Sequence, residues 1–184
     1  MADTAIFREK FNSLKACVII PTYNNAFTLA GVVADVAAYT DNIIVVNDGS
    51  TDNTGSVLAS LHGLTKVSYS KNKGKGWALR QGFKTALELG YQYAITIDSD
   101  GQHFAKDLPI FIEKLETSGP AIIMGARNLN EENMPGKNSF GNKFSILECP
   151  PFLINRELFM FSFIYIRFIT CQCSNNSSSN HDAL

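Results

Sequence analysis

The chain alternates between short, unbroken apolar runs and longer stretches in which apolar residues recur every three or four positions. Five runs, CVIIP (17–21), NIIVVN (42–47), KVSYS (66–70), YAITID (93–98) and AIIMG (121–125), are rich in β-branched residues and end at polar or turn residues. They predict five strands. The clearest helix is predicted over Gly76 to Gly90, where Leu79, Gly82, Phe83, Ala86 and Leu87 recur at helical spacing. Arg80, Gln81, Lys84 and Glu88 fill its other face, and Gly90 supplies a C-terminal stop. Strand and helix alternate about five times, so the expected fold is α/β: a mostly parallel sheet with helices on both faces.

In such a sheet the ligand crevice lies outside the carboxyl ends of the strands. The segments at those ends therefore form the candidate site. After the first strand comes Pro21-Thr22-Tyr23-Asn24-Asn25, and after the second Asn47-Asp48-Gly49-Ser50-Thr51-Asp52. The third leads into Lys71-Asn72-Lys73-Gly74-Lys75-Gly76, the fourth into Asp98-Ser99-Asp100-Gly101-Gln102-His103, and the fifth ends in Gly125-Ala126-Arg127. Two carboxylates on alternate positions, Asp98 and Asp100, with the Gln102 amide two residues on, suit a hard divalent cation held by oxygen ligands. An isolated Asp-x-Asp is as well read as a strand-end turn. Here it converges with four other polar strand ends, and the metal reading is preferred. Asn47-Asp48-Gly49-Ser50 also reads as a helix-capping turn, Trp77 as a packing residue, and His103 as structural.

Composition narrows the class without changing the fold. At 184 residues the chain is one ordinary domain, and 45% hydrophobic and 18% charged residues with a net charge of −1 are those of a soluble globular protein. No basic excess points to nucleic acid. Asp3, Arg8, Glu9, Lys10 and Lys15 leave no apolar signal-peptide core at the start. Cys17, Cys149, Cys171 and Cys173 form neither a disulfide framework nor a zinc spacing, and Cys17 reads as a small buried hydrophobe. A reducing cytoplasm is the expected location.

The motifs PTYNN, VVNDGSTDNT, NKGKGWALRQGF, IDSDGQH and GAR, in this order and spacing, resemble those of family 2 glycosyltransferases. The nearest branch is that of the dolichyl- or polyprenyl-phosphate mannosyl- and glucosyltransferases. The resemblance covers roughly residues 15 to 144. It implies a glycosyltransferase A fold, a nucleotide-diphosphate sugar as donor, Mg²⁺ or Mn²⁺ as cofactor, and transfer with inversion in glycan biosynthesis. By the same resemblance Pro21, Tyr23 and Asn24 match the loop that cradles the base. Asp48 matches the aspartate that contacts the nucleotide, and Asp98, Asp100 and Gln102 match the metal and diphosphate motif. Lys75 and Arg127 are the expected phosphate partners, ahead of Lys71 and Lys73, with Asp98 also counted on the donor side. Residues 1–145 offer no convincing general base, so no catalytic residue is assigned. A lipid-phosphate acceptor needs none, since a phosphate monoester with a second pKa of about 6 is already anionic near neutral pH.

Beyond residue 145 the alternation stops. Residues 146–184 pack in phenylalanines, hold three of the four cysteines and end in a Ser/Asn tract. They are expected to be a truncated or frameshifted end, outside the family fold, beside a nucleotide-sugar-binding domain at 1–145. Leu158 to Ile166 is a charge-free run of nine residues, far short of the roughly 20 that span a bilayer, so no transmembrane span is expected. The expected partners are a nucleotide-diphosphate sugar and a lipid phosphate at the cytoplasmic membrane surface. Two alternatives stand beside the enzyme. One is an inactive donor-binding fragment. The other is an aspartyl-phosphate phosphatase, whose Asp-x-Asp-Gly normally comes after the first strand rather than the fourth.

Overall fold

A computed structural model describes residues 2–102, 105–117, 123–124 and 164–167. Helix α1 (Ala2–Ser13) leads into β1 (Ala16–Thr22), followed by α2 (Leu29–Ala37), β2 (Ile43–Asp48), α3 (Thr54–Ser60) and β3 (Thr65–Tyr69). Then come α4 (Lys75–Glu88), β4 (Tyr93–Thr96), a single 3₁₀ turn at Ala105–Asp107, and α5 (Leu108–Thr117). Strands β5 (Ile123–Met124) and β6 (Ile164–Arg167) complete a sheet of order β3-β2-β1-β4-β6-β5. The first four strands are parallel, and β6 runs antiparallel to both β4 and β5.

The strand sequences reflect their places in the sheet. β1 and β2 lie inside it and are buried along their whole length, which is why they read as unbroken apolar runs. β3 lies at one edge of the sheet, and its half-buried, half-exposed alternation fits one covered face. Cys17 is buried as expected, and burial pushes its thiol far above the ordinary range, so it is chemically inert.

Helices cover both faces unequally. Phe11 of α1, Val33 and Val36 of α2, Leu58 of α3, and Leu108, Phe111 and Ile112 of α5 pack with Val18, Ile20, Val45 and Ile95 into one large apolar layer. The opposite face carries α4, whose Ala78 and Ala86 meet Cys17, Ile19, Ile44 and Val46. The helix starts one residue before the predicted Gly76 and ends at Glu88. Its buried face differs from the expected one: Ala78, Leu79, Gly82 and Ala86 are buried, whereas Leu87 is 43% exposed. The physical reason is close approach. A Cβ at Gly82 would lie 2.5 Å from Ile19 Cγ2, so small residues at 78, 82 and 86 must face the sheet and Leu87 turns away.

Ile164–Arg167, from the tail expected outside the fold, pairs with β4 and β5 in this sheet. The expected boundary at residue 145 thus has one strand of the sheet on its far side. Among the described residues no helix is long and apolar enough to cross a membrane.

Candidate functional site

Because the first four strands are parallel, the segments after β1, β2, β3 and β4 meet at one edge. They enclose a pocket of about 230 Å³. Pro21, Tyr23, Asp48, Lys75, Asp98 and Asp100 all line it, so six of the residues expected to form a site are brought together. Thr22, Asn25, Asn72, Gly74, Ala78 and Ser99 complete the wall. Arg127 and His103 lie outside the described residues. Gln102 lies just beyond the wall, and its backbone N–H donates to Asp100 Oδ1 at 2.9 Å.

The β2 and β3 loops are clamped backbone to backbone. Gly49 has φ +64°, and a Cβ there would sit 2.5 Å from Asn72 N, so a side chain is excluded on two grounds. This contact sets the β3 loop over Asp48, whose Oδ1 accepts the Lys73 N–H at 2.8 Å. Asp48 is only 3% exposed, which reserves its carboxylate for the pocket and its immediate neighbours. Tyr69 sits opposite it in the sheet register. The Tyr69 hydroxyl is raised well above its ordinary pKa, first by burial and then by the nearby Asp48 carboxylate, which it meets outside good hydrogen-bond geometry. It therefore stays neutral.

A second bracket joins the β1 loop to the β2 loop and to β4. Asn24, in the left-handed region at φ 54°, donates its N–H to Ser50 Oγ at 3.0 Å and accepts the Thr51 N–H at 2.8 Å. It does not line the pocket, so its observed work is to hold the loop that presents Tyr23. Asn25 reaches Thr54 Oγ1 at 2.9 Å through its N–H and Ser99 Oγ at 2.7 Å through its side chain. Asp52 accepts the Thr54 and Ala26 N–H groups at 2.9 and 3.3 Å. Its carboxyl is held below the usual range, first by the hydrogen bond from Thr54. Asn47 accepts the Ser50 N–H at 3.0 Å in a local turn, but α3 starts only at Thr54 with Asn53 at its N-cap, so the stretch does not cap that helix as the alternative reading expected.

The charged wall comes from α4 and the β4 loop. Lys75 opens α4 and places its ammonium 2.8 Å from each oxygen of Asp98. The side chains are 50% and 17% exposed, so solvent screens the pair from the lysine side while the carboxylate is mostly covered. The first turn of α4 adds the partial positive charge of a helix N-terminus where Gly74 and Lys75 line the pocket. Lys73 is drawn elsewhere: its ammonium lies 4.7 Å from the Trp77 ring centroid and 5.9 Å from that of Tyr69. Neither Lys71 nor Lys73 lines the pocket.

The donor set fits a divalent ion of a particular kind. Asp98 and Asp100 offer hard oxygen ligands on one loop, yet no group of three His, Cys, Asp or Glu residues surrounds a cation position among the described residues. Two carboxylates suit magnesium or manganese that takes its other ligands from water and a phosphate, not a closed protein cage.

Residues 17–174 match the family model described as Glycosyl transferase family 2. The chain belongs to this family. A UDP-N-acetylglucosamine–dolichyl-phosphate N-acetylglucosaminyltransferase of Methanococcus voltae is 33% identical over 145 residues, which cover 68% of this chain and 58% of that protein. An undecaprenyl-phosphate mannosyltransferase of Micrococcus luteus is 31% identical over 126 residues, covering 63% and 49%. The lipid-phosphate branch that the motifs resembled is thus represented among its relatives. The chain spans about half to two-thirds of the length of these curated relatives. Glucosyl-3-phosphoglycerate synthase of Mycobacterium tuberculosis, solved with Mn²⁺, UDP-glucose and phosphoglyceric acid, superposes with a TM-score of 0.53 at 23% identity over 66% of this chain and 46% of that one. The fold of this family 2 chain is accordingly glycosyltransferase A.

Thr22, Asn72 and Ser99 are wall residues that the sequence pattern did not single out. All three lie inside the strand-end segments it did select, and only the meeting of loops distant in sequence distinguishes them.

Proposed function

We propose that this chain carries the donor-binding part of an inverting, metal-dependent glycosyltransferase. It moves a sugar from a nucleotide-diphosphate sugar to a polyprenyl phosphate at the cytoplasmic face of a membrane. One observation carries the reading: in a family 2 chain, Asp48, Lys75, Asp98 and Asp100 converge on a single pocket at the carboxyl edge of the sheet. The pocket volume of about 230 Å³ is below the roughly 300–1,000 Å³ of whole-ligand sites, so it suits the nucleotide end of the donor. Relatives named for dolichyl and undecaprenyl phosphate support the acceptor class.

The buried Asp48 carboxylate accepts from the nucleoside, with Pro21 and Tyr23 beside it. Lys75, Arg127 and the first turn of α4 bind the diphosphate. Asp98, Asp100 and Gln102 would hold Mg²⁺ or Mn²⁺, and the same fold carries Mn²⁺ in the M. tuberculosis enzyme. Such an ion, when bound, supplies Lewis-acid neutralisation of charge on the diphosphate. In the transfer an acceptor phosphate oxygen bonds to the anomeric carbon from the opposite face. The sugar–phosphate bond breaks, and the nucleoside diphosphate leaves with the electron pair.

Calorimetry tests this with UDP and GDP in Mn²⁺ or in chelator. Metal should tighten binding at least about tenfold, a difference of about 1.4 kcal/mol in binding free energy. Asp100→Asn should remove most of that gain. Equal affinity in metal and in chelator would overturn the metal assignment. The donor-binding fragment remains the second reading, because the chain spans 58% of the M. voltae protein. Turnover of a radiolabelled donor with a short polyprenyl phosphate selects the enzyme, and binding with no turnover selects the fragment.

A further inference from the structure

Given the donor-binding reading, on which this inference rests, two ligands must share one carboxylate. Asp98 lies at the end of β4 with its side chain mostly covered, while Lys75 comes from the start of α4 with half its side chain in solvent. The ammonium sits 2.8 Å from both carboxylate oxygens, so a resident monovalent cation occupies the place that a divalent one would need. Only the lysine has room to leave. We propose that Lys75 is a positioning residue that guards Asp98, yielding it to a divalent cation and turning to the diphosphate of the donor.

Charge decides why the exchange should be concerted. Asp100 also lines the pocket on the same loop, so an anion alone that draws Lys75 away leaves the Asp98 and Asp100 carboxylates beside its phosphates with one compensating cation fewer. A divalent cation alone must push Lys75 out with no anion to receive it. When both arrive, each half of the broken ion pair gains a new partner of opposite charge. Lys75 thereby couples the two ligands, and the coupling is reciprocal: diphosphate tightens metal by the factor that metal tightens diphosphate. The exposure of Lys75 keeps the ion pair weak enough to exchange.

The sign of one variant separates this from a simple phosphate-binding lysine. Free Mn²⁺, followed by its electron paramagnetic resonance signal, is titrated with the full chain, alone and with UDP or GDP. Without nucleotide, Lys75→Met should bind Mn²⁺ about two- to fivefold more tightly than the unmodified protein, because its competitor is gone. Lys75→Arg, which keeps the cation, should stay near the unmodified value. With UDP or GDP added, the gain in Mn²⁺ affinity should be smaller for Lys75→Met than for the unmodified protein. Lys75→Gln is a second uncharged variant that should behave like Lys75→Met. If the uncharged variants bind Mn²⁺ no more tightly while the unmodified protein still binds it with nucleotide, the exchange is wrong and the donor-binding reading survives. If the unmodified protein binds no Mn²⁺ even with UDP and GDP, both fall.

Discussion

The two faces of the sheet are built to different tolerances. On one, α1, α2, α3 and α5 lay down Phe11, Leu29, Val36, Leu58, Leu108, Phe111 and Ile112, and large side chains set the spacing. On the other, α4 presents Ala78, Gly82 and Ala86, so the helix backbone comes close to Ile19 and Val46. The difference matters because α4 begins at the pocket. A close-packed helix has little freedom to slide, so α4 fixes where the Lys75 backbone stands beside Asp98, while the half-exposed side chain keeps its freedom to turn. The thick face supplies stability, and the thin face supplies position.

That contrast can be broken by substitution. The largest effect is expected on the thick side, where Leu108→Ala removes a fully buried side chain and should cost about 2–5 kcal/mol in urea unfolding. The nucleotide affinity of the folded protein should not change, and a parallel loss would erase the distinction between the faces. On the thin side, Gly82→Ala places a Cβ 2.5 Å from Ile19 Cγ2 and 3.3 Å from Val46 Cγ2. Overpacking should cost about 1–3 kcal/mol of stability, and here UDP or GDP binding should weaken too as α4 is pushed outward. Unfolding and calorimetry on the same sample check both expectations.

Gly49→Ala acts on the loops instead of the faces. The left-handed backbone alone should cost about 1–2 kcal/mol, and the clash with Asn72 should part the β2 and β3 loops and weaken nucleotide binding. The smallest effect is a pH dependence at the rim. The Asp52 carboxyl is lowered in the folded chain, so its stabilisation is present above its unfolded pKa of about 3.9 and is lost as pH falls through the lower folded value. The stability difference between the unmodified protein and Asp52→Asn should therefore be seen at pH 7 and shrink in acid. A difference independent of pH would assign it to packing.

The parts of the molecule legible in the sequence were those whose environment is set locally. β1, β2 and β4 are buried along much or all of their length, so their apolar runs stand out, and the carboxylates of Asp48, Asp98 and Asp100 are conspicuous where those runs stop. Helix α1 was less legible: Phe7, Phe11 and Leu14 recur at helical spacing, but the charges among them make the segment read as polar surface. Leu87 was assigned to the wrong side of α4 because periodicity weighs size and ignores how near a backbone can come. The pairing of Lys75 with Asp98 spans 23 residues and depends on where α4 lands on the sheet, which no local pattern encodes. Asn24 is picked out by the resemblance to the base-cradling loop, while its hydrogen bonds to the 50–52 loop arise only once that loop is folded beside it.

The strand order also sets a timetable for a chain made from its N-terminus. β1 pairs with β2 on one side soon after both emerge, but its other edge waits for β4, with Ala16 meeting Tyr93. At roughly 5–20 residues per second, the stretch from Asp48 to Thr96 takes about 2–10 seconds to synthesise. For that interval β1, buried along its whole length in the folded chain, has an open edge, the kind that recruits other strands. Ribosome-bound chains halted with β1 and β2 emerged should therefore be captured by chaperones more often than chains from which β4 and α5 have emerged as well.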